Sequence, residues 1–527
     1  MPKSMSKQSE EHFDTSSYQR VESKKFSFTG EIKRAILQLF GHKSKNRKQK
    51  IITISVFILF AIIYSSISLV NHYYFRTHAL DLGLYNNAIY GFANFSMPKY
   101  TLDLSGVEQP FFATHFSLIT ILYVPFYYIF GSYTLLIIQI SSILFAGYYI
   151  QKYIKQHIES FTVRTLLLVQ FFSIWGIYSA LSFDFHNSVI GAMLVPALFY
   201  YIEKRDIKVS ALIFMLFLFT KEIMAIWGIF ILIGLMIKNR NTLFKQYIKL
   251  EIPLLIAAII YGSIVLFWAM PKLQLSDTNL QFGRYAHLGN SLWEMLTNIL
   301  RNPQIIFSNT SGDAIYDGIK AETIIMFLLA GGVFCIIRPA YLFMLLPIFA
   351  QKFLSSDCAL WGINYHYSIE FVPILALATI DVLSNIKKVK LQNIIAITAV
   401  ILTISSTFQT MESRQSKWYN EINTQFYKKA HYQSDINRSK VFEIIEGIPS
   451  STTVSTSSAL APRLAFREKI FLFPNIKNAG YIILLKKEGT YPLSLDELAS
   501  EVEKLKAGNH YEAYFESETV IALKKVL

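Results

Sequence analysis

Asp81, His115, Asp184, His186, Lys221, Glu222, His366 and Glu370 are the side chains whose types suit acid–base chemistry and anion binding at a membrane surface. Asp81 lies in Thr77-His78-Ala79-Leu80-Asp81-Leu82-Gly83-Leu84-Tyr85, just after the apolar run 51–70. Burial against apolar neighbours raises a carboxyl pKa towards the working range, which would make Asp81 a general base acting on a lipid-borne substrate. Leu84, Ala88 and Phe92 recur at i, i+4, i+8 and predict an amphipathic helix over 80–94. Asp81 is equally well placed to be the N-cap of that helix. The pattern alone gives the two roles equal standing.

His115 follows Gln109-Pro110-Phe111-Phe112-Ala113-Thr114, and His186 closes Phe183-Asp184-Phe185-His186 at the end of an apolar run. His366 and Glu370 are spaced i, i+4, which puts them on one face of a predicted helix. Histidine and carboxylate ligands suit several divalent ions, but no His-x-x-x-His or Glu-x-x-His spacing occurs among these residues, so a metal is left unknown. Lys221-Glu222 interrupts the apolar stretch 207–237. A charge at the centre of a membrane helix costs about 2.5–3.5 kcal/mol on insertion scales, so the pair marks either a wet turn or a functional cation. As a functional group, Lys221 is a point charge suited to a phosphate. Arg284-Tyr285-Ala286-His287 reads as loop surface.

The elements that position these groups follow from composition. The chain has 527 residues, 53% hydrophobic and 16% charged, with mean hydropathy +0.36. Soluble proteins carry about 25% charged residues, so this is a polytopic membrane protein. Cys335 and Cys358 cannot build a disulfide framework, and one apolar and one polar setting predict that they stay unpaired. The net charge of +14 is concentrated in the N-terminal tail and short loops, which makes it a topology signal and not a nucleic-acid footprint.

Eleven apolar runs predict spans near 51–70, 133–151, 163–182, 188–202, 207–220, 223–237, 250–270, 322–337, 340–354, 366–384 and 391–408. His115–Phe130 is short and contains Pro125, and it is assigned to the membrane plane or a re-entrant turn. With it excluded, the loops holding Lys152 and Lys155, Lys204 to Lys208, Lys238 to Lys249, Arg338, and Lys387 to Lys390 fall on one side, the cytoplasmic one by the positive-inside rule. The other side then carries the 71–132 loop, Asp184-Phe185-His186, Lys221-Glu222, the 271–320 loop and the turn before His366. The organisation expected is a basic, largely disordered cytoplasmic tail at 1–50 with a short interfacial helix near Glu31–Phe40, a membrane domain at 51–408, and an external α/β domain at 409–527. The first span reads as an uncleaved signal anchor with the N-terminus in the cytoplasm. The fold class is therefore a polytopic α-helical membrane protein with in-plane external helices and a small C-terminal α/β domain.

In the last segment, Thr452–Thr456, Ile470–Phe473, Tyr481–Leu485, Tyr511–Phe515 and Thr519–Lys524 read as strands. Ser494-Leu495-Asp496-Glu497 is a capping box opening a helix to about Lys506. No glycine-rich phosphate fingerprint supports nucleotide binding.

Asp81-Leu82-Gly83-Leu84-Tyr85, His115-Phe116-Ser117, Phe183-Asp184-Phe185-His186, Lys221-Glu222 and His366-Tyr367, in this order, resemble the motifs of a family of predicted prokaryotic membrane proteins catalogued as a domain of unknown function. Ile448-Pro449 and Ala461-Pro462-Arg463-Leu464-Ala465-Phe466-Arg467 are similar to its soluble end. The family looks related to GT-C glycosyltransferases, polytopic enzymes that take sugar from a polyprenyl-phosphate donor at the outer membrane face. That resemblance implies Asp81 as catalytic base and Lys221 as phosphate ligand, with Glu222, His115, Asp184, His186, His366 and Glu370 around the donor. It implies a lipid-linked sugar donor and membrane lipids as partners, in the cytoplasmic membrane of a bacterium. Asp81 is followed two residues on by Gly83, which departs from the acidic pair of metal-dependent GT-C members.

Two other classes compete. A transporter or flippase predicts an internal repeat and charges near the midplane, and only Lys221 answers to either. A non-catalytic scaffold displaying the C-terminal domain needs neither Asp81 nor the histidines. The sequence leaves sugar, acceptor, lipid and oligomeric state open.

Overall fold

In the computed structural model the described residues are 47–241, 243–275, 283–416 and 419–526. The expected tail helix near residues 31–40 lies outside them. Two compact units divide the chain, Met1–Ser55 and Val56–Leu527, and everything below belongs to the second except the start of its first helix.

All eleven apolar runs fall on helices. Six helical stretches among the described residues are long and apolar enough to cross a bilayer: Arg47–Tyr73, Leu118–His157, Phe161–Phe183, Glu251–Leu273, Ala314–Ile337 and Val389–Glu412. The chain is a multi-pass membrane protein. Length supports six crossings directly, and the other runs form shorter helices, Asn187–Glu203, Ile207–Leu218, Met224–Lys238, Pro339–Phe353 and Phe371–Ser384. The stretch from Leu118 is broken: a 3₁₀ segment Leu118–Tyr123, a helix Val124–Phe130, then Gly131 at φ 53° before Thr134–His157. Six and seven residues reach about 12 Å and 10 Å, against a hydrocarbon core of about 30 Å, so neither piece crosses alone.

The stretch 207–237 is divided at Lys221-Glu222 as its charges require. Ile207–Leu218 and Met224–Lys238 flank the turn, and at 12 and 15 residues they span about 18 Å and 22 Å. At their far ends the charged side chains interlock. Glu203 accepts from His157 Nε2 (2.9 Å), Lys238 Nζ (2.8 Å) and Tyr153 Oη (2.7 Å), while Asp381 pairs with Arg338 at 3.3 Å. The basic loops around Lys155, Lys204, Lys238 and Arg338 thus share one end of the helices.

The C-terminal segment forms a five-stranded sheet. After the short antiparallel pair β1 (Lys99–Tyr100) and β2 (Gln109–Pro110), the strands are β3 (Val454–Thr456), β4 (Ile470–Leu472), β5 (Tyr481–Leu485), β6 (Tyr511–Glu516) and β7 (Val520–Lys525). Their order is β4-β3-β5-β7-β6, parallel among β3, β4 and β5 and antiparallel beyond. The expected helix runs Leu495–Ala507, with the full capping box at Ser494 and Glu497. Alternation along the strands feeds two cores. One side packs on this helix through Leu498 and Val502, and the other packs on Phe75, Ala79 and Leu102 of the first long loop. Cys335 and Cys358 are free.

Candidate active site

Asp81 is not an N-cap. It sits inside a π-helical turn, Ala79–Gly83, that continues into the helix Leu84–Ala93. The free N–H groups at the start of that turn are taken by distant residues. His78 N–H donates to Asp184 Oδ2 at 3.0 Å, and Ala79 N–H donates to Ser458 Oγ at 3.1 Å. Asp184 also accepts from Phe185 N–H at 2.6 Å. Asp184 therefore does the capping that the sequence offered to Asp81, and the Asp81 carboxylate accepts no backbone N–H among the described residues. Burial pushes Asp184 well above the ordinary carboxyl range, with the nearby charge of Asp81 adding to the rise.

His186, which the resemblance places around the donor, is the N-cap of Asn187–Glu203, a role its sequence position did not announce. Its Nδ1 accepts from the Ser188 N–H at 3.2 Å and lies 2.8 Å from Ser188 Oγ. A backbone N–H can only donate, so Nδ1 carries no proton and the neutral ring is the Nε2–H tautomer. Burial, the neighbouring His366 ring and Lys221 together hold its pKa well below the usual imidazole value. Nε2 points at Asp81 Oδ1 (4.0 Å) and at Lys221 Nζ (3.4 Å). A protonated Nε2 cannot accept from an ammonium. Lys221, half-buried, forms no salt bridge among the described residues, and its charge acts on Asp81 and Glu370.

Burial raises Asp81 to about 7, and Lys221 acts against that rise. Its side chain keeps 18% exposure, enough to meet a substrate. His115 is half-buried beside Tyr85, at 5.5 Å between ring centroids, and burial with Lys221 lowers it to about 3.

Lys221 and Glu222 part company. Glu222 is buried, accepts from Phe116 N–H at 3.3 Å, and its other oxygen has no partner among the described residues. The turn with both charges wet is thus excluded for Glu222, which anchors the His115–Ser117 turn. Ser117 Oγ donates to Thr220 O at 2.7 Å and completes that junction.

His366 and Glu370 do not share a helix. The helix begins at Phe371, and both residues lie in the turn before it. The i, i+4 expectation failed because Lys352 holds this turn open, donating to Gly362 O (2.7 Å), Tyr367 O (3.1 Å) and Ser368 Oγ (3.1 Å). The turn lays His366 flat on His186. Glu370 is buried and interacts electrostatically with Lys221 and Lys352.

Asp81, Asp184, His186, Lys221, His366 and His115 therefore converge, with Glu370 close by and Glu222 turned to the loop behind. Sequence reasoning missed the partners that hold them: Ser188, Lys352, Ser458, and the rings of Tyr365 and Tyr367, which feel the Asp81 charge. Tyr367 stood in a quoted motif; the others carried no local signal. No group of three or more His, Cys, Asp and Glu among the described residues is arranged to hold a metal ion.

The first loop is also locked to the C-terminal sheet. Asn86 Nδ2 donates to Pro462 O (2.9 Å), and Asn87 Nδ2 donates to Ala465 O (2.8 Å) and Arg467 O (2.9 Å). Arg463 donates to His72 O at 2.9 Å and Tyr133 Oη at 3.0 Å.

No curated protein matches the chain. Among solved structures, the crystal structure of ArnT from Cupriavidus metallidurans bound to undecaprenyl phosphate is similar, with a TM-score of 0.54 and 10% identity over 90% of this chain and 98% of that one. At that identity the likeness is one of fold, and it agrees with the fold that the motifs imply. The family described as "Predicted membrane protein (DUF2079)" matches residues 71–494, from the loop of Asp81 through most of the C-terminal sheet, and the chain belongs to that family.

Proposed function

We propose that the protein is a membrane glycosyltransferase that moves a sugar from a polyprenyl-phosphate donor to an acceptor at the extracytoplasmic face. The observation that carries this is the placing of a largely buried carboxylate, Asp81, near an ammonium, Lys221, that forms no salt bridge among the described residues. The ArnT fold supports it, because that structure contains undecaprenyl phosphate. The basic loops gathered at the opposite end support an external site.

In this mechanism the acceptor hydroxyl gives its proton to Asp81 as its oxygen attacks the anomeric carbon. The bond from that carbon to the phosphate oxygen breaks with inversion, and the electron pair leaves on the polyprenyl phosphate. Lys221 stabilises the charge that gathers there, a contribution that grows towards the transition state. His186 turns its Nε2–H towards Asp81, 4.0 Å from Oδ1, near enough to close on the carboxylate when substrate is bound. His115 and His186, both neutral, add no competing cation.

The test uses purified protein in nanodiscs. Undecaprenyl phosphate should bind the wild type, and Lys221→Ala should weaken it by about tenfold to a hundredfold, the scale of a charge-assisted contact. Asp81→Asn should bind it at least as well while transfer is lost. Equal affinity of the wild type and Lys221→Ala would remove the phosphate role, and transfer by Asp81→Asn would remove the base.

A further inference from the structure

Across residues 360–380 every side chain is buried except Tyr365 and Tyr367. Tyr365 has φ of 51°, in the left-handed region that bulky residues avoid. The backbone around it is fixed on both sides: Asn364 and His366 are buried, and Lys352 ties down Gly362, Tyr367 and Ser368. The left-handed residue turns one ring out of an otherwise buried segment. Strain of this kind persists where the surroundings over-determine it, and it clusters at ligand sites.

The ring that is turned out joins an aromatic wall. Tyr365 lies 4.3 Å from Phe183 and 5.8 Å from Tyr367 between centroids, and Phe183 in turn stacks on His78 at 5.8 Å. Asp81, Arg414, Asp357 and Tyr491 all act electrostatically on the Tyr365 hydroxyl. Arg414 is half-buried, and Tyr491 is on the exposed loop after β5.

A pyranose has an apolar face of axial C–H bonds and a rim of hydroxyls. A tyrosine ring matches the face and a guanidinium matches the rim. We propose that Tyr365, backed by Phe183 and edged by Tyr367, is the platform on which the hexopyranose ring of the donor stacks. This rests on the glycosyltransferase reading and adds the residue that recognises the sugar separately from its phosphate. The electron-rich ring face also favours the positive charge that builds on the sugar as the phosphate leaves.

The experiment compares undecaprenyl phosphate with undecaprenyl phosphate carrying glucose, galactose or mannose, all binding to the full chain in nanodiscs. In the wild type at least one sugar-bearing lipid should bind more tightly than the bare lipid. Tyr365→Gly is the informative variant, since glycine adopts φ near 50° freely and the backbone turn is kept when the ring is removed. It should lose the added affinity of the sugar, about threefold to tenfold, and keep the affinity for the bare lipid. Tyr365→Phe should retain the sugar increment. The platform is wrong if the wild type binds all four lipids equally, or if Tyr365→Gly keeps the increment. Failure of the bare lipid to bind the wild type would bring down the parent reading as well.

Discussion

His186 and His366 stack face to face, with ring centroids 3.5 Å apart and planes 11° from parallel. Two imidazolium rings at that distance would repel strongly, and Lys221 stands beside them. The pair therefore works as a neutral unit beside the Lys221 ammonium. His186 is at once cap, stacking partner and orienting group, so its substitutions separate these roles. Asparagine is a good N-cap, and His186→Asn should stay within about 0.5 kcal/mol of the wild-type stability, whereas His186→Ala should lose about 1 kcal/mol. Both should lower the transfer rate, because neither places an N–H against Asp81. Thermal unfolding in detergent together with initial rates distinguishes the two; equal stability of the variants would show that the cap is idle.

The raised pKa of Asp81 gives the pH dependence. Only the ionised carboxylate accepts a proton, so activity should rise with pH through a midpoint near 7 and be lost below it. Lys221 favours the ionised form, and Lys221→Met should move that midpoint to higher pH. The rate profile is measured between pH 5 and 9, on the order of the range spanning the two forms. A midpoint that stays put in Lys221→Met would separate the two charges.

Stability carries the opposite sign. The folded protein binds the Asp81 proton more tightly than the unfolded chain, so ionising this group costs stability as pH rises from the ordinary carboxyl range through about 7. Asp81→Asn removes that cost. The variant should therefore melt higher than the wild type at pH 8, with the gap closing as pH falls. A lower melting temperature at pH 8 would mean that the ionised carboxylate has a stabilising partner.

Asp184 and Ser458 hold the turn of Asp81 from two separate parts of the chain. Asp184→Ala leaves the His78 and Phe185 N–H groups without their acceptor, at about 1–3 kcal/mol for each buried group. Ser458→Ala removes one neutral bond and should cost about 1 kcal/mol. Hydrogen exchange resolves them: the His78 amide should lose protection in Asp184→Ala and the Ala79 amide in Ser458→Ala. Unchanged protection at both would place the strength of the turn elsewhere.

The lock between the first loop and the sheet is testable in the same way. Asn87→Leu strips two buried carbonyls, those of Ala465 and Arg467, of their donor. Proteolysis within 457–467 should speed up several-fold, in line with about 1–2 kcal/mol lost. Cleavage at the wild-type rate would indicate that the shared core around Phe75 and Leu102 suffices.

Much of the architecture was legible because it is local. Apolar runs of the right length predict helices, and every one of the eleven is helical. Lys221-Glu222 divides its stretch where the charges forbid a continuous helix. Ser494 and Glu497 form the capping box that their spacing demands, and the five C-terminal strands fall where branched and aromatic residues cluster. The failures were also local rules, each overruled from a distance. His366 and Glu370 keep helical spacing without a helix because Lys352 captures the carbonyls of their turn.

By itself, the sequence determined a multi-pass membrane protein with its basic loops segregated from Asp81, the histidines and Lys221, since hydropathy and charge act within one segment at a time. Only the tertiary structure decided what Asp81 is free to do. Its place as a cap was taken by Asp184, 106 residues away from the N–H it receives, and the tautomer of His186 was set by the helix that ring itself caps. Hydrogen bonds between segments so far apart leave no periodicity in the chain. They are settled when packing brings one donor against one acceptor, and that contact separates a base from a cap.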